Sequence, residues 1–266
     1  MKIRLVLALT GSLGLSLSCW AQEPPNSSAS TPPGVKDPTA MALIDRFSNA
    51  VGQASTAYME GQSSVIGTVA GTNQNISTTM KVWTKSPDKS YSLVQGGGQD
   101  VVMILNGPQM MTYFPVKKQY MINPAPAVAA GTGSFWLGQG THSAKAMEAM
   151  KNSIQGATLV GNETVNGQPA KHVRLQIAGV ASDMWLSDTT TPLPLRQSAS
   201  VNANGSVMKM DMSMKWTINQ PIPDTTFEIK PPAGATNMMA RRDAGTAPAN
   251  AAAAGSGNPP PTSGSR

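Results

Sequence analysis

Between Val207 and Thr217 the chain reads VMKMDMSMKWT. Met208, Met210, Met212, Met214 and Trp216 take alternate positions, and Lys209, Asp211, Ser213 and Lys215 fill the gaps. Strict alternation is the period of a half-buried strand, because successive side chains point to opposite faces. One face of this strand is therefore four thioethers and an indole. At about 3.3 Å per residue the row is roughly 26 Å long. A row of that length needs an apolar partner, either core or ligand.

Shorter alternating or apolar runs lie on both sides of a break in the middle of the chain. The first half predicts strands at Ser63–Val69, Ile76–Thr84, Ser90–Val94, Asp100–Leu105, Met110–Phe114 and Gln119–Ile122. The second half predicts them at Thr158–Val165, Ala170–Ile177, Asp183–Ser187, Leu195–Val201, Val207–Ile218 and Phe227–Ile229. Turn signals such as Asn106-Gly107, Asn166-Gly167 and Asn204-Gly205 separate them, the pattern of an antiparallel meander.

Two helical periods complete the reading. Asp37 is a fitting N-cap and Pro38 a fitting first helical residue, and Met41, Ile44, Phe47 and Val51 then recur on one face. Residues 143–154 form the second helix, with Met147 and Met150 on one side. It follows a Pro/Ala/Gly-rich loop, Pro124 to Thr141, that carries Phe135, Trp136 and Leu137. A long loop with aromatics and an amphipathic helix together read as a lid.

The ends of the chain differ from its middle. Lys2 and Arg4, the apolar stretch Leu5 to Leu17, and Cys19-Trp20-Ala21 form a secretory signal over residues 1–21, cleaved after Ala21. A lipidated Cys19 is the alternative. Ser16 stands where a lipoprotein signal prefers Leu, and Leu17 where it prefers a small residue, so cleavage after Ala21 is favoured. Residues 22–36 read as a flexible linker, residues 37–237 as one domain, and residues 238–266 as a disordered Ala/Pro/Gly/Ser tail. Loss of Lys2 and Arg4 lowers the formal charge from +6 to +4, spread along the chain without the basic patch of a nucleic-acid binder.

Several motifs resemble the bacterial LolA/LolB-type lipoprotein-carrier fold, and more closely the predicted periplasmic proteins that share it. They are Trp83-Thr84-Lys85-Ser86-Pro87, Leu105-Asn106-Gly107 with Tyr113-Phe114-Pro115 and Gln119-Tyr120, and Asn166-Gly167 leading to His172-Val173. Met184-Trp185-Leu186 with Pro192-Leu193-Pro194-Leu195-Arg196 adds a hairpin, and Ile222-Pro223-Asp224 to Phe227 with Pro231-Pro232-Ala233-Gly234-Ala235 adds a C-terminal end. The resemblance covers residues 38–237. It implies an α+β fold: a curved antiparallel incomplete β-barrel of about 11 strands, with helices covering the open concave side. It also implies an apolar cavity that holds acyl chains in the true carriers, with a membrane-anchored acceptor as a further partner.

On that frame the Met row has three readings. It is plain core, or it is a cavity wall, or it is a thioether site for Cu(I) at Met208, Met210, Met212 and Met214. The wall reading joins Trp216, Met80, Met103 and Met184 to the row, since unbranched Met adapts to irregular apolar partners. The lid would be Phe135, Trp136, Leu137, Met147 and Met150. Catalysis has no support: the chain carries no G-x-S-x-G, H-E-x-x-H, P-loop or cysteine nucleophile motif. His172 reads as a strand residue with a satisfied ring, and Asp183, Asp188 and Asp211 as solvated acids. Lys85 and Lys89 read as ordinary exposed lysines on a polar face, with contact to lipid head groups as the alternative. The expectation is a monomeric, non-enzymatic periplasmic protein without cofactor, metal or nucleic acid, holding a lipid or lipoprotein acyl chain. A protein-interaction or envelope-sensor domain using the same face is the rival.

Overall fold

The computed structural model describes residues 34–69, 72–98, 100–125, 143–177, 180–203 and 206–239. Helix α1 (Pro38–Gly52) starts where the sequence places it. Asp37 caps it, the Thr39 N–H donating to its carboxylate at 2.8 Å, and Pro38 takes the first turn. Leu43, Ile44, Phe47 and Val51 form its buried face. Helix α2 (Ala144–Asn152) is capped by Ser143 and buries Met147 and Met150.

Twelve strands follow the meander expectation. They are β1 (Thr56–Val69), β2 (Thr72–Lys85), β3 (Lys89–Gly96), β4 (Val101–Asn106), β5 (Gln109–Phe114) and β6 (Gln119–Pro124) before α2. After it come β7 (Ile154–Val165), β8 (Gln168–Ile177), β9 (Val180–Ser187), β10 (Pro194–Ala203), β11 (Ser206–Ile218) and β12 (Thr236–Asn237). One sheet holds them all, in the order β12-β6-β5-β4-β3-β2-β1-β11-β10-β9-β8-β7. Neighbours are antiparallel except β12, which runs parallel to β6. The order is linear, so the sheet stays open: an α+β incomplete barrel. Two local meanders are joined by one long-range pairing, β1 with β11.

The helices pack on one end of one face. Leu43, Ile44, Phe47 and Val51 of α1, with Met147 and Met150 of α2, share a core with Val173, Leu175, Met184 and Leu186 of the sheet. Arg46 fastens α1 to the β9–β10 connection, donating to the Thr189 and Thr190 carbonyls at 2.6 and 2.9 Å. The free edge of β7 is covered by residues 34–37. Gly34 N–H donates to Gln155 O at 3.0 Å, Asp37 N–H to Ala157 O at 2.9 Å, and Ala157 N–H to Val35 O at 2.9 Å. Residues 34–36, the end of the expected linker, instead pair with an edge that would otherwise template aggregation.

Two elements differ from the sequence reading. The expected strand Phe227–Ile229 is a 3-10 turn, Asp224–Phe227, followed by extended chain. Pro221, Pro223, Pro231 and Pro232 flank it, and each lacks the N–H that a ladder needs. Phe227 is fully buried instead. The first strand starts at Thr56, well before Ser63, because Gly61 interrupts an alternation that Ala57 and Met59 already carry.

Candidate functional site

Register decides which side chains share a face. Met184 of β9 lies in the helix core, opposite Gln197 of β10, which lies opposite Met212 of β11. Met212 faces Ser63, and Met214 faces Gly61. Gly61 in turn faces Met80, and Met59 faces both Trp216 and Val82. The Met row therefore lies on the helix face. Across β4, Met103 falls on that face too, opposite Ser92.

The row changes character along its length. Met212 and Met214 are 4% and 8% exposed and pack with Met59, Met80 and Val82. Trp216 touches this cluster and the helix core alike, so it joins the two. Met208 and Met210 are only half-buried. Val65 and Ile76, which share the face beside Met210, are half-buried as well. Gly61 makes room for the cluster: a Cβ there would stand 2.8 Å from the Ser213 carbonyl oxygen and 3.5 Å from Met59 Sδ.

The other residues expected at the site separate. Met184 is fully buried under the helices. Met103 is half-buried four strands from β11, about 19 Å across the sheet at 4.8 Å per strand. Met147 and Met150 belong to the helix core, 2% and 3% exposed. Phe135, Trp136 and Leu137 lie outside the described residues. Met59 and Gly61 escaped the sequence reading; the only available signal was the Ala57, Met59, Gly61 alternation.

The opposite face is polar and holds two further arrangements. In the first, His172 stands between two carboxylates, Nδ1 at 2.7 Å from Glu163 Oε1 and Nε2 at 2.8 Å from Asp183 Oδ1. Its ring stacks on Trp185 at 4.4 Å, and Trp185 Nε1 donates to Glu163 Oε2 at 2.7 Å. Arg174 donates to Asp183 at 2.9 Å. Arg196 covers the other side of Trp185 at 4.7 Å and grips Asp211 through Nε and Nη2. Burial alone would depress the His172 pKa, but the bonds and charges of Asp183 and Glu163 reverse this and raise it. Burial works against the Asp183 carboxylate, yet His172 and Arg174 hold its pKa below the usual range. Asp183 and Asp211, expected as solvated, are thus paired, because register sets them beside Arg174 and Arg196 on neighbouring strands. Asp188, likewise expected as solvated, pairs with Lys171 at 3.2 Å. Lys85 and Lys89 both reach Asp224, at 3.1 and 2.9 Å, and so form a paired cluster at the strand ends.

The second arrangement is a shallow, open hollow of about 560 Å³ over β11, β1, β2 and β3. Gln62, Ser64, Ser77, Thr79, Gln95 and Ser213 line it, with Asp211 at one side. It lies behind the Met row, on the other side of the sheet.

The fold and its faces define a class: an open antiparallel sheet with helices on an apolar face and a hydrogen-bonding face behind. The family described as "Predicted periplasmic protein (DUF2092)" matches residues 141–239. Lipoprotein LppX of Mycobacterium tuberculosis is similar at 13% identity, over 71% of this chain and 99% of that chain, with a TM-score of 0.45. LprF of Mycobacterium bovis is similar at 12% identity, over 76% of this chain and all of that chain, TM-score 0.45. A LolA superfamily protein from Nitrosomonas europaea is similar at 11% identity, over 71% of this chain and 97% of that chain, TM-score 0.33. No curated protein matches the chain. The matching family is described as periplasmic.

Proposed function

We propose that this chain is an exported periplasmic binding protein, without catalysis, that holds a lipid or the acyl chains of a lipoprotein on its helix face. The observation that carries the reading is the gradient along the Met row. The same apolar face is closed core at Met212 and Met214 and half-exposed at Met210 and Met208. An acyl chain laid over Met208, Met210, Val65 and Ile76 continues that core outward. Trp216, Met214, Met212 and Met80 form the floor behind it. Thioethers suit the task because an unbranched side chain re-packs around a flexible partner. In this reading α2 is a wall, its Met147 and Met150 held against α1. Apolar burial drives binding, so the heat-capacity change on binding is negative.

Native mass spectrometry of the protein purified from its host envelope tests this. Co-purifying lipid, displaced by a fluorescent fatty acid, supports it. A clean protein that takes up no fatty acid overturns it.

One observation favours a second reading. Met59, Met80, Met212 and Met214 pack together around Gly61, four soft thioethers of the kind that select Cu(I). Met59→Leu and Met212→Leu keep the volume and remove the sulfur. Loss of Cu(I) affinity with lipid uptake intact would identify a metal site, and absence of Cu(I) affinity in the parent removes it.

A further inference from the structure

The Met row sorts its thioethers by access. Met212 and Met214 are closed off among Met59, Met80 and Val82, whereas Met208 and Met210, toward the start of β11, are half-buried on the same face. Register explains the difference. Met210 faces Val65 on β1 and Ala199 on β10, and Met208 faces Gly67 and Val201. Gly67 has no side chain to cover its neighbour, and only Met208 itself occupies the space, its Cγ 3.0 Å from where a Cβ of residue 67 would stand. Gly61 leaves the same gap beside Met214, but there Met59 fills it, with Sδ 3.5 Å from the equivalent point.

Apolarity alone does not require sulfur at Met208 and Met210, since Val or Ile suits a pleated strand at least as well. A thioether adds one property that they lack: it is oxidised by peroxide. Hydrogen peroxide gives one oxygen to Sδ as its O–O bond breaks, the sulfur loses two electrons and becomes a sulfoxide, and the other oxygen leaves as water. The product is polar. The chain has a single cysteine, Cys19, so residues 37–237 carry their oxidisable sulfur in methionine alone. Cross-strand neighbours of Met208 and Met210 are Val65, Gly67, Ala199 and Val201, none with a side-chain donor for the new oxygen. The sulfoxides at this open end therefore draw water onto the apolar face.

We propose that Met208 and Met210 are an oxidation site through which peroxide weakens the hold on an acyl chain, while the closed cluster of Met59, Met80, Met212 and Met214 stays reduced and keeps the sheet folded. The loss of hold rests on the lipid reading; the site itself rests on the difference in access along the row.

The test treats the purified full chain with graded hydrogen peroxide, quenches with free methionine and divides each sample. Peptide mass spectrometry reads the order in which methionines gain oxygen, and titration with a dansyl-labelled fatty acid reads uptake. Met208 and Met210 should oxidise well before Met212 and Met214, with uptake weakened about tenfold or more, the effect of an unpaired polar group against the ligand, and the thermal midpoint little changed. Sulfoxide reductases for both epimers should restore uptake. Met103, Met110 and Met121, half-buried on β4, β5 and β6, gain oxygen as well. Met208→Leu with Met210→Leu leaves those three in place and removes only the two sulfurs, so its uptake should not respond to peroxide. Each protein is compared with itself before and after oxidation, so the starting affinity of the variant does not enter. Met212 or Met214 oxidised as early as Met208, uptake unchanged by oxidation, or a loss that persists in the double variant would overturn the proposal. A chain that takes up no fatty acid before oxidation is a different failure: it overturns the lipid reading and the loss of hold together, and the order of oxidation still decides the site.

Discussion

His172 offers the sharpest test of the electrostatic reading. Its two ring nitrogens face carboxylates at 2.7 and 2.8 Å. Only the doubly protonated ring can donate to both. The ring is almost fully enclosed, and its pKa is raised above the ordinary value of about 6.5 despite burial. The folded chain thus keeps a proton that the unfolded chain releases near 6.5. The stability from this bond pair is complete below about 6.5 and is lost as pH rises through the folded pKa. Glu163 and Asp183 act in the other direction. The Trp185 bond leads in holding the Glu163 carboxylate down, and His172 and Arg174 outweigh burial at Asp183. Their contribution is present above about 4 and is lost as pH falls through their folded values. Stability should therefore plateau between about 4.3 and 6.5 and fall on both sides.

The alkaline fall can be sized. Deprotonation removes one of two hydrogen bonds to charged groups, each worth roughly 1.5–3 kcal/mol. The Glu163 side chain is 45% exposed, so water screens that partner and the low end applies. A loss of about 1–2 kcal/mol between pH 6.5 and 9 is expected in urea unfolding followed by Trp fluorescence. His172→Gln cannot titrate, so its stability should be flat over that range. The chain has two histidines, so the signal lost in this variant assigns the His172 titration in proton NMR. A His172 pKa at or below 6.5, or an alkaline fall that persists in His172→Gln, would refute the reasoning.

Other expectations follow from packing. Met212→Ala should cost about 2–5 kcal/mol in urea unfolding, as a large-to-small change in core, whereas Met208→Ala at the half-exposed end should stay near 0.5. Equal costs would mean that the row is uniform core, with no open end for a ligand. Gly61→Ala places a Cβ 2.8 Å from the Ser213 backbone oxygen and should destabilise by roughly 1–3 kcal/mol, read as a lowered thermal midpoint. Arg196→Lys keeps the charge but loses the planar contact with Trp185 and the paired bonds to Asp211. It should change Trp fluorescence and cost about 1 kcal/mol, and an unchanged emission spectrum would count against the stacked arrangement.

Much of the fold was legible because its signals are local. Asp37-Pro38 marks a helix start through one side chain and one ring, and the Asn-Gly pairs mark hairpins through backbone freedom at Asn166 and Gly167, both with positive φ. The alternation of β11 needed no partner to be read. What could not be read is what alternation leaves open: which strand lies beside which. Met59 and Met80 join Met212 and Met214 only because β1 pairs with β11 across more than half the chain, and no local pattern encodes that pairing.

Strand register also explains why acids that look solvated are not. Asp211 is a polar position in an alternating strand, and it meets Arg196 because β10 and β11 are one hairpin in one register. A slip of β11 by one residue against β10 would turn Asp211 away from Arg196 and send the whole Met row to the other face. The Arg196–Asp211 pair on one face and the Met212 cluster on the other therefore hold the same register from two sides. A variant that breaks the pair weakens the alignment that keeps the thioethers on the helix face. Asp211→Asn should for this reason raise hydrogen exchange at the amides of β10 and β11 more than at those of β5 and β6. Equal protection in both regions would show that the Met packing alone sets the register.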